Sequence, residues 1–309
     1  MIKLSVIKKY LILVRAYSVV DVFLLFIAAR VCALGNQPYD LRDLIAGVLP
    51  ILLWGLLTLS LEAKHKHSYR EKISYIVPIT FALVASFIAF FFNNLSFIFV
   101  VLTAIFTNFY IKKETNFFWG STSSLWRGFY QAALFLFCLS LYKNLMFFSF
   151  KEILFSLVIL LFHLSRNLIA DVRDVAFDNF TLVVRLGIKE SYLISFVTFF
   201  VGSLILLVIF PNSLVAIPGL TISLILLFHD DGFTLHRISI MVTSFTFANI
   251  IFLSKGVSLI YPNLLFFGIL SNLIFYEKVA RPSNPIPQVK IKTRFLLNSV
   301  SASTHLCRK

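Results

Sequence analysis

The chain has 309 residues, of which 59% are apolar and only 14% are charged, and its mean hydropathy is +0.90. Soluble globular proteins hold about 45–50% apolar and about 25% charged residues. The composition therefore excludes an ordinary soluble protein and indicates that lipid surrounds most of the chain. The formal net charge is nevertheless +14, from 28 Lys and Arg against 14 Asp and Glu, so the positions of these few charges decide the functional interpretation.

Continuous apolar runs predict transmembrane helices, because a helix of about 20 apolar residues crosses the hydrocarbon core and these runs do not alternate as barrel strands would. Ten runs occur, at 17–35, 43–61, 73–92, 95–111, 124–141, 151–168, 191–210, 213–229, 236–254 and 260–276. The run at 213–229 is weak because it holds Pro218 and Gly219, and the last run is also weak. We predict an all-α, polytopic membrane bundle of nine or ten transmembrane helices, forming one domain over 1–279.

The basic residues are divided unevenly between the two sides of this predicted bundle. All but five of the 28 Lys and Arg lie on the side that holds the N-terminus and the loops after the second and sixth runs. The exceptions are Arg30, Arg42, Lys143, Lys151 and Lys255. Cytoplasmic loops carry the excess of basic residues, so we expect that side to face the cytoplasm and the protein to lie in the cell membrane.

We expect no cleaved signal peptide, since no short apolar core with an A-x-A site follows the first lysines. Residues 280–309 are expected to form a loosely ordered basic tail against anionic headgroups.

Three of the 14 acidic residues lie close together directly after the sixth run. Asp171, Asp174 and Asp178 have the spacing i, i+3 and i+7, which predicts one face of a helix. Three such carboxylates repel each other unless a cation lies among them or they face water. Carboxylate oxygens suit Mg²⁺, which is commonly shared with substrate phosphates. Basic residues that could bind phosphate oxygens flank the cluster: Arg166, Arg173 and Arg185. The alternative is a solvated helix end whose aspartates pair with these arginines.

The segment around this cluster resembles the second aspartate-rich motif of the UbiA superfamily of intramembrane prenyltransferases. That motif is close to R-D-x-x-x-D, with a polar residue three positions earlier, and it ends in T-L-x-V-x-x-G. Arg173, Asp174 and Asp178 match its core and Asp171 matches the earlier polar position. The end of the motif is matched by Thr181, Leu182, Val184, Arg185, Leu186 and Gly187. The resemblance implies a bundle of about nine spans that transfers an isoprenoid group from a polyprenyl diphosphate, with Mg²⁺ joining the diphosphate to the aspartates.

Shorter matches extend the resemblance to other loops on the same side. Arg15, in the sequence VRAYS, resembles an early R-P-x-S segment, and FTNFYIKKE resembles an aromatic-then-lysine stretch that contains Tyr110 and Lys113. Through this resemblance, the residues expected to bind the leaving phosphate are Lys64, Lys66, Lys112, Arg127 and Arg173. Lys112, Lys113 and Arg127 could instead be anchors at the membrane surface.

The family's first acidic motif is absent from the end of the second run. The family has N-D-x-x-D-x-x-x-D there, whereas this chain has LTLSLEAKHKHSYREKIS, in which only Glu62 is acidic near the helix end. Glu62 is a further candidate Mg²⁺ ligand, but the residues after it are mostly basic. Three explanations of this difference remain open. Lysine and arginine side chains could bind the phosphate directly, beside one metal ion, or the donor could be a polyprenyl monophosphate or a phosphorylated sugar. Alternatively, the protein kept the fold and lost the reaction.

The sequence thus supports two hypotheses about function. The first is a Mg²⁺-assisted prenyltransferase that acts on a polyprenyl (di)phosphate and an unidentified acceptor; the second is a non-catalytic UbiA-fold relative that binds or moves a lipid phosphate. Membrane lipids are expected partners and nucleic acid is not.

Three other polar positions have more than one interpretation. Burying the charge of Asp21 in lipid costs free energy, so this residue could pair with Arg15 or Arg30 or line the cavity. We expect His163 to be a packed histidine, and Asp230 and Asp231 to form a turn or, alternatively, a lid.

Overall fold

The computed structural model of the protein describes residues 15–35, 37–65, 74–144, 148–175, 178–211, 213–228 and 231–253. These residues form eleven helices and no strand. In chain order the helices are α1 (Ala16–Leu34), α2 (Leu41–His65), α3 (Ile76–Phe92), α4 (Asn94–Tyr110), α5 (Phe117–Ser121), α6 (Ser123–Ser140), α7 (Phe150–Arg173), α8 (Leu182–Leu186), α9 (Ile188–Ile209), α10 (Ser213–Phe228) and α11 (Gly232–Leu253). The prediction of an all-helical protein is therefore confirmed.

Each of the first nine predicted runs corresponds to one long helix, with ends that differ by a few residues. The weak run at 213–229 forms α10 even though Pro218 lies inside the helix. By length and composition, α2, α7 and α9 could cross a membrane, while α3, α4 and α10 are apolar but shorter. The count of nine or ten spans and the orientation stay predictions. The run at 260–276 and the tail at 280–309 lie outside the described residues.

Helix α7 lies at the centre of the bundle and packs against α6, α9 and α11. Its inner face is aromatic: the Phe155 ring lies edge-on to Phe135 at 5.0 Å between centroids, and the Phe162 ring lies 5.0 Å from Phe199. The outer face of α3 is also aromatic, but its rings are exposed: Phe87 and Phe91 are 66% and 71% exposed. Apolar rings on an outer surface are expected where the surroundings are lipid.

A buried ionic cluster fixes one end of the bundle. Arg30 of α1 donates to Asp43 of α2 at 2.8 Å, and the hydroxyl of Tyr142, which follows α6, donates to the same carboxylate at 2.6 Å. Nearby, Ser149 and Glu152 form a capping box at the start of α7, which satisfies backbone N–H groups that the first turn leaves open. The pairing of Arg30 with Asp43 makes the expectation of an Asp21–Arg30 pair wrong.

Close packing of α6 on α7 depends on Gly128. A Cβ atom at this position would lie 2.7 Å from the backbone oxygen of Leu160, and a backbone atom cannot move aside as a flexible side chain can. We expect Gly128→Ala to separate the two helices and to lower the free energy of unfolding by about 1–3 kcal/mol.

The measurement is thermal unfolding of the purified protein in detergent. Gly47→Ala serves as the control, because its Cβ would meet side-chain atoms rather than backbone, the Phe26 ring at 3.2 Å and the Phe23 ring at 3.6 Å. Equal melting temperatures for Gly128→Ala and the unmodified protein would contradict the close approach of α6 and α7.

Candidate functional site

A polar cavity lies at the other end of the bundle, where α1, α6 and α11 begin and α2, α4 and α7 end. Its charged lining consists of five basic and two acidic side chains: Arg15, Lys113, Arg127, Arg166, Arg173, Asp171 and Asp174. Trp54, Leu61 and Ala170 add an apolar part to the wall. Six helix ends thus bring together residues that are far apart in the sequence, and four of the predicted site residues are among them: Arg127, Asp171, Arg173 and Asp174.

Asp171 is the carboxylate most firmly held in this cavity. It lies in the last turn of α7, is 3% exposed, and accepts a hydrogen bond from the Ser124 hydroxyl at 2.9 Å. Asn167 also donates to Asp171, at 3.4 Å, and accepts from the hydroxyl of Tyr110 at 3.1 Å. These contacts join α4, α6 and α7 around one buried carboxylate.

The three aspartates do not share one helix face, so that interpretation of their spacing is wrong. Helix α7 ends at Arg173, Asp174 is its C-cap, and the chain turns at Asp174 and Val175 before it reaches Asp178. The helical period fails because it applies only while the helix continues. Asp174 instead pairs with its neighbour Arg173, with 2.5 Å between Oδ2 and Nη2.

The turn nevertheless brings Asp178 back to the cavity end of the bundle, beside Lys113. Asp178 Oδ1 lies 3.6 Å from Lys113 Nζ, and both side chains are almost completely buried. Burial raises the pKa of Asp178 and the Lys113 ammonium opposes that shift. For Lys113, burial lowers the pKa, but Tyr110 and the carboxylates of Asp171, Asp178 and Asp174 outweigh it, so the pKa is raised. Lys113 is therefore stabilised as a charged ammonium, and Asp178 is the aspartate that lies in ion-pair contact with it.

Lys112, which the sequence suggested as a phosphate ligand, does not line the cavity. Its Nζ lies over the rings of Trp119 and Phe109, 4.9 and 5.8 Å from their centroids. Successive residues of a turn point in different directions, so only one of the two lysines can face the aspartates. The structure gives that place to Lys113, the second lysine of the same stretch.

Arg127 is held in the cavity wall by aromatic rings rather than by a carboxylate. Its guanidinium lies 4.4 Å from the ring centroid of Trp54 and 5.2 Å from that of Tyr130, and the side chain is 8% exposed. Its Nη1 has no hydrogen-bond partner among the described residues. Cation–π contacts stabilise the guanidinium while leaving an N–H group able to bind an anion.

The end of α2 contributes little to this cavity. Glu62 is buried but lies outside the cavity lining, to which its neighbour Leu61 belongs. Lys64 is half-buried, is also outside the lining, and lies close enough to Lys112 for their charges to interact. Lys66 falls outside the described residues. The predicted roles of Glu62, Lys64 and Lys66 therefore gain no support from the geometry and stay predictions.

Arg166 is both a cavity residue and the partner of Asp21. Its Nη1 lies 2.6 Å from Asp21 Oδ2 and also donates to Thr243, while its Nη2 donates to Ser18 at 3.2 Å. Asp21 in turn accepts a hydrogen bond from Ser244. Of the interpretations considered for Asp21, the pairings with Arg15 and Arg30 are wrong; it pairs with an arginine that is 145 positions away in the chain.

Two histidines also face the cavity. His163 is buried, as expected, and its Nε2 has no hydrogen-bond partner within the described part of the chain. His236 of α11 was missed in the sequence; its Nδ1 lies 3.0 Å from Arg173 Nη1, and no local motif signals that contact.

The predicted turn at Asp230 and Asp231 lies just before α11. Asp231 accepts hydrogen bonds from the backbone N–H groups of Phe233 and Thr234 at the start of α11, as the predicted turn requires. Asp230 is outside the described residues.

The arrangement of the carboxylates does not fit a Mg²⁺ site. Asp171 is bonded to Ser124, Asp174 to Arg173, and Asp178 lies against Lys113. Among the described residues, no three His, Cys, Asp or Glu side chains are grouped so that they could hold a metal ion. Carboxylate oxygens have the right chemistry for Mg²⁺, but here a buried ammonium lies where that ion would have to approach them.

Comparison with known proteins identifies the fold. No protein-family model and no curated protein matches the sequence. The protein is similar to the solved structure of a digeranylgeranylglyceryl phosphate synthase in membranes, with a TM-score of 0.57 and 17% sequence identity over 85% of this chain and 99% of that one. At this identity the similarity shows a shared fold, and it supports the expected helical membrane bundle at that level.

The Asp21–Arg166 pair should be essential to stability. Asp21→Asn leaves the Arg166 guanidinium buried without its counter-charge, which typically costs about 3–5 kcal/mol. We therefore expect a large fall in the melting temperature of the variant in detergent.

The double variant Asp21→Asn/Arg166→Met removes both charges and should recover much of the lost stability, because no unpaired charge remains. If the double variant melts no higher than Asp21→Asn, the pair would not be the reason for the loss.

Proposed function

We propose that this protein is an intramembrane prenyltransferase of the UbiA type, which binds a polyprenyl (di)phosphate and transfers its isoprenoid group to an acceptor. The observation that carries this proposal is the cavity, in which five basic and two acidic side chains meet at one end of an apolar bundle. A basic pocket suits a phosphate group, and the adjoining apolar interior suits a prenyl chain. The shared fold with a digeranylgeranylglyceryl phosphate synthase supports the same function.

The cavity offers the groups that such a reaction requires. In prenyl transfer the bond between C1 of the prenyl group and the phosphate oxygen breaks, the electron pair leaves with the phosphate, and the acceptor forms the new bond to C1. Cations aimed at the leaving oxygens stabilise the charge that develops there. Arg127 and Lys113 are suitably placed to bind these oxygens, since both line the cavity and both are buried. Asp171 and Asp174 would orient the cations around the leaving group.

The charged cavity at one end of the bundle and the apolar core beside it suggest the direction in which the donor would bind. The phosphate would lie among the basic residues at the cavity end, and the prenyl chain would extend past Trp54 and Leu61 toward the apolar core. We further propose that this end faces the cytoplasm of the cell membrane, because most basic residues of the chain belong to that side.

A second candidate function is favoured by a different observation. The three aspartates contact side chains of the protein itself, and basic residues follow Glu62 where related enzymes would have acids. A protein that kept the fold but lost the reaction would bind or move a lipid phosphate without turning it over. Turnover distinguishes the two candidates, whereas binding of a prenyl phosphate is common to both.

The test uses purified protein in nanodiscs with radiolabelled geranylgeranyl diphosphate and a panel of aromatic and lipid acceptors. We expect Arg127→Met to weaken binding of the diphosphate at least about tenfold, because a charge-assisted hydrogen bond to a phosphate oxygen is lost. Transfer of label to any acceptor supports the prenyltransferase, and saturable binding without transfer supports the second candidate.

The matched control is Arg42→Met, because Arg42 lies at the opposite end of the bundle and donates to the backbone oxygen of Leu141 at 2.9 Å. This variant should bind the diphosphate as the unmodified protein does. Equal binding by Arg127→Met and Arg42→Met would show that the phosphate does not lie in this cavity.

A further inference from the structure

Lys113 occupies an unusual position for a lysine in an aspartate-rich site. It is 5% exposed, it lies 3.6 Å from Asp178, and its charge interacts with Asp171 and Asp174 as well. Of the carboxylates that the sequence suggested as metal ligands, Asp178 thus already has a cation beside it, and Asp174 pairs with Arg173. We propose that the Lys113 ammonium takes the place of a metal ion, so that the protein binds a diphosphate-containing lipid without Mg²⁺. This inference rests on the proposed binding of a prenyl phosphate.

The charge of the cavity supports metal-independent binding. A diphosphate is a multiply charged anion, and a metal ion is needed mainly where the surrounding carboxylates would otherwise repel it. Five basic side chains line the cavity against two acidic ones; Asp21 and Asp178 offset two of the basic residues from outside the lining, so five positive charges still face four negative ones and the wall keeps a positive excess. Arg166 is partly neutralised by Asp21, but Arg127 lies against aromatic rings and keeps its full charge toward the cavity.

The donors in the cavity also match phosphate oxygens directly. Guanidinium and ammonium groups form short, charge-assisted hydrogen bonds with phosphate. Arg127 Nη1 is buried and has no hydrogen-bond partner among the described residues. The distance of 3.6 Å from Lys113 to Asp178 is longer than a normal N–H···O hydrogen bond, so the ammonium can turn a proton toward an incoming oxygen while it keeps its carboxylate neighbour.

The arrangement at the end of α2 agrees with this proposal. Two acidic motifs are required where two metal ions hold a diphosphate between them. At the end of α2, Glu62 lies outside the cavity lining, and Lys64 is a cation that does not bind metal ions. Within the described part of the chain, the end of α2 thus places no carboxylate in the cavity, and on the other side Asp178 already lies beside Lys113. Both features put side-chain charge where a metal ion would otherwise be needed.

The experiment measures the affinity of the full-length protein in nanodiscs for geranylgeranyl diphosphate in two buffers, one with Mg²⁺ and one with EDTA. We expect dissociation constants that agree within about twofold in the two buffers. A loss of affinity of about tenfold or more in EDTA would overturn the metal-independent site while leaving the proposed function intact. Absence of binding in both buffers would overturn the proposed function and this inference together.

Variants of Lys113 test whether this ammonium is responsible. Lys113→Met should weaken binding in EDTA at least about tenfold, and the loss should shrink when Mg²⁺ is added, because Asp178 is then left without its cation and its oxygens can bind the metal ion. Lys113→Arg keeps the charge and should retain binding that is insensitive to EDTA, which separates a lost charge from a misfolded protein. Unchanged binding by Lys113→Met in EDTA would overturn the proposal.

Lys112→Met is the matched control for the loss of one positive charge near the cavity. Its Nζ lies over Trp119, outside the cavity lining, so the variant should bind geranylgeranyl diphosphate within about twofold of the unmodified protein in either buffer. If Lys112→Met loses as much affinity as Lys113→Met, the loss in Lys113→Met would come from the lower total charge of this region. The proposal that the Lys113 ammonium takes the place of a metal ion would then be wrong.

Discussion

The cavity depends on one electrostatic constraint: a charge buried in an apolar bundle must be offset, by an opposite charge or by the faces of aromatic rings. Arg166 of α7 meets this requirement with Asp21 of α1, and Lys113 meets it among the aspartates at the end of α7. Because the partners belong to different segments, each pair also fixes how those segments approach each other. The side chains that hold this end of the bundle together are thus the same ones that set the charge of the cavity.

The basic residues of the cavity fall into two groups because of this constraint. Arg166 is bonded to Asp21 and Ser18. These bonds hold its guanidinium in place, so its main role is to stabilise the fold. Arg127 is stabilised by the rings of Trp54 and Tyr130, whose negative faces balance the cation without accepting all of its N–H groups. An arginine held in this way keeps donors for a ligand, so aromatic residues in the wall contribute to anion binding although they contact no anion themselves.

The helices could be predicted from the sequence because hydropathy is a local property, and even α10 forms around Pro218 as its apolar run suggests. The site could be predicted only in part. Asp21 and Arg166 are 145 positions apart, and nothing in either local sequence indicates their contact. The i, i+3, i+7 spacing of the aspartates suggested one helix face, but the helix ends at Arg173. The choice between Lys112 and Lys113 depends on which way each residue of one turn points, which composition and spacing do not determine.

The basic residues that follow Glu62 in the sequence and the burial of Lys113 have the same electrostatic consequence. In the related pattern, carboxylates recruit metal ions and the ions supply the positive charge that a diphosphate needs. A lysine among the carboxylates supplies that charge permanently, and five basic side chains against two acidic ones make the wall repel additional cations. Restoring a single acid near Glu62 would therefore not be sufficient to rebuild a metal site, because the ammonium of Lys113 would still compete for the opposing aspartates. The charge of the cavity is thus set by the residues around Lys113 and Arg127, because Glu62 and Lys64 at the end of α2 lie outside its lining.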